Sequence, residues 1–172
     1  MPLHVYKFGG TSVGTTERIN AVADPIHNSY ERGDKIIVVV SAMSGETNRL
    51  QALGNEISQR PSSREIDVLL ASGEQVSISL LALALMERGL QARSYLGWQV
   101  KVVTDENHSK ARIESIDVEA LQECLNTGLI PVVAGFQGVT KGGEITTIGR
   151  GGSDASAVAV AAALQADECR IY

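Results

Sequence analysis

The sequence predicts an α/β fold, a mainly parallel sheet with helices packed on both of its faces. Runs of Val and Ile too continuously apolar for half-exposed strands, such as the one over residues 35–41, alternate with longer segments whose apolar residues recur at helical spacing. Several of those segments end at a glycine (Gly33, Gly89 and Gly128), the residue a helix C-cap favours because it enters the left-handed region without steric cost. With 172 residues, 44% hydrophobic and 20% charged, the chain can bury one domain-sized core.

Taken in order, the first apolar run predicts a strand over Leu3–Phe8, and the periodic segment after it a helix over Thr16–Arg32 closed by Gly33. The most apolar strand follows at Lys35–Ser41, then helices over Thr47–Gln59 and Glu65–Arg88. Gly73 sits inside the second of these, where it costs about 1 kcal/mol relative to Ala, so a close backbone approach or a break is expected there. A strand at Gln91–Leu96, a helix at Val118–Asn126 and a strand at Leu129–Gly135 continue the alternation. Apolar and polar positions alternate over Phe136–Thr147 around Lys141-Gly142-Gly143, the pattern of a β-hairpin. A helix over Ser153–Gln165, rich in Ala and Val, and a strand at Glu168–Tyr172 complete the series.

Charge and composition narrow the classes of partner. A formal net charge of -5 is the wrong sign for a nucleic-acid or anionic-membrane surface, so any bound anion must be held locally. The opening residues lack the basic-then-apolar order of a secretory leader, and apolar stretches are interrupted by Gly, Ser or charge before a membrane-spanning length; a cytoplasmic protein is expected. Cys124 and Cys169 form no CxxC pair and read as free thiols. His4, His27 and His108 lack metal-ligand spacing or an adjacent nucleophile and read as surface or structural residues.

Two glycine-rich turns carry the chemistry. The first strand runs into Lys7-Phe8-Gly9-Gly10-Thr11-Ser12, where backbone N–H groups can approach an anion and the next helix adds its positive end. The lysine precedes the glycines, which is not the Walker A order. The second turn, Thr146-Thr147-Ile148-Gly149-Arg150-Gly151-Gly152-Ser153-Asp154, opens the last helix, with Ser153 a candidate N-cap and Asp154 a first-turn acid. Each turn alone is equally compatible with an ordinary strand-to-helix connection. In an open parallel sheet both would lie at the carboxyl ends of strands, where ligands bind. Two further polar loops lie between them: Ser41-Ala42-Met43-Ser44-Gly45-Glu46-Thr47, in which Thr47 could N-cap the next helix, and Ser72-Gly73-Glu74, in which Glu74 could face water or a ligand.

The opening Val5-Tyr6-Lys7-Phe8-Gly9-Gly10-Thr11-Ser12-Val13 resembles the signature of the aspartokinases, within the amino acid kinase superfamily. Residues 39–45, Ala71-Ser72-Gly73-Glu74, Ala134-Gly135-Phe136-Gln137-Gly138 and residues 147–154 resemble the same family in the same order, so the likeness spans the chain. The resemblance implies a three-layer αβα sandwich, ATP with Mg2+ as cosubstrate and L-aspartate as phosphoryl acceptor. It implies that Lys7 neutralises phosphate charge with Asp154 holding it, that Phe8, Gly9, Gly10 and Ser41 lie on the nucleotide side, and that Thr47, Glu74, Arg150, Gly151, Gly152 and Ser153 bind aspartate. Glu74 would meet the ammonium and Arg150 the α-carboxylate in a two-pronged ion pair. An aspartate side chain is ionised at neutral pH, so no general base is needed, in keeping with the lack of a His–Asp or Ser–His arrangement. By the same likeness, residues 1–172 are expected to be an incomplete kinase domain. They end before the nucleotide-side loop that follows this strand in aspartokinases and before the paired ACT domains, so little turnover is expected of this chain alone. A homo-oligomer is expected of the full-length protein.

Two other readings stay open on sequence. A sister kinase acting on N-acetylglutamate, glutamate or UMP would share the opening and the sandwich, although an acylated nitrogen would leave Glu74 without a partner. A non-catalytic module that binds aspartate or assembles would keep the fold alone. A dinucleotide-dependent dehydrogenase fits worse, because no G-x-G-x-x-G follows the first strand.

Overall fold

The computed structural model describes residues 1–172. Strand β1 (Leu3–Phe8) leads to helix α1 (Thr16–Glu31), β2 (Lys35–Val40), α2 (Glu46–Ile57) and α3 (Ser63–Glu87). Next come β3 (Ala92–Tyr95), β4 (Val102–Thr104), β5 (Ile113–Ile116), α4 (Glu119–Asn126) and β6 (Ile130–Ala134). The chain finishes with β7 (Gln137–Thr140), β8 (Ile145–Thr147), α5 (Gly152–Ala163) and β9 (Glu168–Ile171).

Five strands form a parallel sheet in the order β3-β6-β2-β1-β9. Successive side chains of a strand point to opposite faces, so a continuously apolar strand supplies two cores at once. In β2, Ile36, Val38 and Val40 join Ile19, Ala23 and Ile26 of α1 and Ile78, Leu81 and Leu85 of α3 on one face. Ile37 and Val39 join Leu121 and Cys124 of α4 and Ala157 and Val160 of α5 on the other. The result is the three-layer αβα sandwich. A second sheet, ordered β5-β4-β7-β8, contains the expected hairpin, β7 pairing antiparallel with β8.

The differences from expectation are local. The short strands β4 and β5 have no counterpart among the elements that periodicity predicts. Gly73 does not break α3; a Cβ there would stand 3.1 Å from the Cβ of Ala42, so the glycine marks a close approach between α3 and the loop after β2. Thr47 is not an N-cap, since α2 starts one residue earlier behind Gly45, which has φ 81°. Nor is Ser153, since α5 starts behind Gly151 with φ 72°. Both caps use the left-handed region that glycine enters freely, which releases the Thr47 and Ser153 side chains for other contacts.

One apolar stretch does reach a membrane-spanning length: α3, 25 residues long, is apolar enough by composition to cross a bilayer. More than half of its most apolar window, 56%, is nevertheless buried inside the protein, and its buried face carries Asp67, Glu74 and Ser77 with internal hydrogen-bond partners. That is the make-up of a core helix.

The second sheet is packed tightly at Gly138, where a Cβ would lie 2.5 Å from Thr104 Cγ2 and 2.6 Å from the Val102 carbonyl oxygen. Backbone cannot yield as a flexible side chain does. Gly138→Ala is therefore expected to lower unfolding free energy by about 1–3 kcal/mol or more, read as a lower urea midpoint at an unchanged m-value.

Candidate active site

The carboxyl ends of β1, β2 and β6 and the turn after β8 meet at one cavity of about 490 Å³. Gly10 reaches it from the first glycine-rich turn; Ser41 and Thr47 from the β2–α2 connection; Glu74 from α3; and Arg150, Gly151, Gly152 and Ser153 from the second glycine-rich turn. Eight of the residues singled out in the sequence thus share one wall-to-wall space. The remaining four, Lys7, Phe8, Gly9 and Asp154, do not line it.

Lys7 and Asp154 nevertheless form a unit beside it. The Lys7 ammonium lies 2.6 Å from Asp154 Oδ1, an ion pair joining β1 to the first turn of α5. Lys7 is 7% exposed, and its Nζ stands 3.3 Å from where a Cβ on Gly9 would be, so the bare glycine leaves the ammonium its room. The Lys7 carbonyl accepts from the Tyr172 N–H at 2.9 Å, which ties the turn to β9. Phe8 turns its ring into the core, stacked on Tyr172 with centroids 4.9 Å apart, and its carbonyl accepts from the Ser41 N–H at 3.1 Å, so its ring does not face the cavity.

The two glycine-rich turns are connected through the β2 loop. The Ser41 hydroxyl donates to Ser153 Oγ at 2.7 Å, and the Ser44 N–H donates to the Gly10 carbonyl at 3.1 Å. Phe136 lines the same cavity with φ 71°, a conformation unusual for a bulky residue. It is held there at both ends, its N–H donating to Ser156 Oγ at 3.0 Å and its carbonyl accepting from the Ile148 N–H at 2.8 Å.

Charge in the cavity is divided between two groups. Arg150 is exposed and makes no ion pair within the protein, so its guanidinium is free for a ligand anion. Glu74 is 1% exposed, and burial pushes its carboxyl up from the ordinary 4.5 to about 8, against smaller opposing hydrogen bonds from its own backbone, Gln137 and the Ala42 N–H. A buried carboxyl of this kind is poised to ionise when a cation arrives.

Gln137 stands in one of the family-like segments, where the likeness implies no role for it, yet it fixes the Glu74 carboxyl. Its Oε1 accepts the Gly97 N–H at 3.1 Å, which turns Nε2 toward the Ala71 carbonyl at 2.9 Å and Glu74 Oε2 at 3.3 Å. Its alternating position in a hairpin strand signals burial but not what its amide would meet.

An amino acid kinase family model matches residues 2–172. The chain is 58% identical over all its 172 residues to an aspartokinase of Pseudomonas aeruginosa, of which it covers 42%. It also resembles the crystal structure of an aspartate kinase from Synechocystis, with a TM-score of 0.84 and 51% identity over 99% of this chain and 28% of that one. Its likeness to E. coli aspartokinase III in complex with aspartate and ADP has the same TM-score at 28% identity, over 99% of this chain and 48% of that one. The chain thus spans about two-fifths of the length of the curated relatives it matches.

The buried Glu74 carboxyl sets a pH dependence. In the unfolded chain it ionises near 4.5 and in the folded protein near 8, so the native state binds more protons between those values. Its contribution to stability is fully present below about 4.5 and is lost as pH rises through about 8. Glu74→Gln carries no titrating group there. Urea titrations at pH 5 and 8.5 are expected to show the variant gaining on the wild type by a few kcal/mol at the higher pH, since each tenfold difference in proton affinity between the two states is worth about 1.4 kcal/mol.

Proposed function

The chain belongs to the amino acid kinase family, and from that premise we propose that it forms the substrate-binding and phosphate-handling part of an aspartate kinase, transferring the γ-phosphoryl group of ATP to the side-chain carboxylate of L-aspartate. The observation that carries the reading is the pairing, in one cavity, of a buried carboxyl with an unpaired guanidinium, flanked by the Lys7–Asp154 ion pair.

An α-amino acid presents an ammonium and a carboxylate on one carbon. Glu74 offers the counter-charge to the first and Arg150 a two-bond grip on the second, which leaves the side chain to be directed toward the glycine-rich turns. Thr47, freed from capping, and the Gly151–Ser153 backbone complete the cavity wall. An acceptor with an acylated nitrogen would bury Glu74 against a group that carries no charge, which favours a free amino acid over an N-acetylated one.

The chemistry asks little of the protein beyond placement and charge. The substrate's side-chain carboxylate is already ionised at neutral pH, so one of its oxygens attacks the γ-phosphorus without prior proton removal. The bond from that phosphorus to the bridging oxygen breaks, and ADP leaves with the electron pair. Lys7, held by Asp154 at the end of β1, stabilises the negative charge that builds on the transferring group, and the backbone amide of Gly10, at the cavity wall, adds a donor to the same anion. No cluster of three or more His, Cys, Asp or Glu side chains could form a metal cage in the protein. Mg2+ would come bound to the ATP phosphates, in keeping with its preference for phosphate oxygens and water.

The deciding experiment for this reading is aspartate-dependent ADP release by the intact protein, with glutamate and N-acetylglutamate as comparison acceptors; equal or greater turnover with either comparison acceptor overturns it. Lys7→Ala is expected to reduce kcat by about 100-fold or more with little change in KM for aspartate, because its charge acts mainly on the group in transit. Arg150→Lys is expected to weaken aspartate binding about tenfold by calorimetry although the charge is kept, since an ammonium cannot reproduce the planar two-bond grip.

A further inference from the structure

We propose that Asp67 is a positioning residue that sets the spacing between Glu74 and Arg150, and thereby the selectivity of the cavity for a ligand bearing both an ammonium and a carboxylate. The inference rests on the aspartate reading above and adds to it the device that holds the two recognition charges in register.

Asp67 lies on α3, seven residues before Glu74. Seven residues are close to two helical turns, so the two side chains share a face about 10 Å apart along the axis. Both are buried, Asp67 completely. The Asp67 carboxylate is a junction of three segments. Its Oδ1 accepts from the Thr147 hydroxyl at 2.6 Å, both of its oxygens lie 3.1 Å from the Ser109 N–H, and its Oδ2 lies 2.8 Å from His108 Nδ1.

Each of those partners leads to the cavity. Thr147 is the last residue of β8, three before Arg150. Ser109 lines the cavity itself and is held at φ 69°, a left-handed conformation that a non-glycine residue adopts only where its surroundings impose it. The two segments are also joined to each other, the Ala111 N–H donating to the Thr147 carbonyl at 3.1 Å. Asp67 therefore fastens the strand end that leads to Arg150, and the loop between β4 and β5, to the helix that carries Glu74. Glu74 and Arg150 share no hydrogen bond or ion pair, and the Asp67 junction joins their two elements directly, beside the longer route through Gln137 and the β7–β8 pairing.

A carboxylate suits the position because it offers acceptors only. Asparagine is nearly the same shape but must present an NH2 group to one of the converging donors, and a buried donor left facing another donor loses its bond. His108, which sequence spacing marks as surface or structural, serves here as one of the three partners.

The test uses Asp67→Asn and Thr147→Val in the intact protein, with binding of L-aspartate, succinate and 3-aminopropanoate measured by calorimetry or competition. Succinate lacks the ammonium and 3-aminopropanoate lacks the α-carboxylate, so each can use only one of the two recognition charges. If Asp67 sets their spacing, both variants bind L-aspartate about tenfold more weakly while the two analogues change less than twofold, and KM for ATP also stays within twofold. Equal weakening of all three ligands would mean general loosening and would overturn the inference, as would unchanged aspartate affinity in variants shown to be folded by circular dichroism. Thr147→Val, which removes one donor and leaves the carboxylate, decides the matter alone if Asp67→Asn does not fold. A wild-type protein that binds none of the three ligands overturns the aspartate reading, and this inference with it.

Discussion

A buried polar group must find a partner, and in this protein that requirement falls chiefly on one helix. Helix α3 is apolar enough to serve as core throughout, yet its inner face carries Asp67, Glu74 and Ser77 almost without exposure. Each is satisfied by a different part of the site: Asp67 by β8 and the β4–β5 loop, Glu74 by Gln137 of β7, and Ser77 by the Ser41 carbonyl at the end of β2. Leaving any one unpaired would cost about 1–3 kcal/mol or more. The helix therefore registers three loop systems against one rigid rod, and the cavity walls follow from that register.

The parallel sheet supplies the other half of the construction. Because β1, β2 and β6 run in the same direction, their carboxyl ends open onto one edge, and the segments leaving them must cross there. The Ser41–Ser153 hydroxyl bond and the Ser44–Gly10 backbone bond join those crossings directly. Pairing of β1 with β9 then brings the Tyr172 ring over Phe8 and its N–H to the Lys7 carbonyl. A site assembled this way is formed before a ligand arrives, which reduces the ordering that binding must impose.

Much of this was legible in the sequence because apolar periodicity reports burial. The parallel strands β1, β2, β3, β6 and β9 and all five helices lie within one or two residues of where periodicity and glycine stops place them. Strands β4 and β5 escaped because three and four residues, set among polar positions such as Asp105, Glu106 and Asn107, are too few to show a period. Thr47 and Ser153 are candidate caps by sequence because Ser and Thr before an apolar run usually are caps, whereas here a glycine two residues earlier takes that place in each case. Phe8 belongs with the glycines in the family motif but with the core in space. Asp67 has no local signal, and Gln137, although it stands in a family-like segment, has none for its role: an acid or amide at a helical or strand position acquires its meaning from a partner 40 to 80 residues away, and only the tertiary structure supplies that partner.

The left-handed backbone of Phe136 bears on the order in which the molecule can be assembled. Until the Ser156 hydroxyl and the Ile148 N–H are both in place, that conformation is uphill by about 1–3 kcal/mol and the extended alternative prevails. Ser156 is on α5, beyond both strands of the hairpin. The wall that Phe136 contributes to the cavity is therefore disfavoured before α5 has emerged, even if every strand up to β8 has found its partner. Docking of α5 is what turns a folded sheet into a binding site, and a nascent chain crosses from one to the other within the length of a single helix.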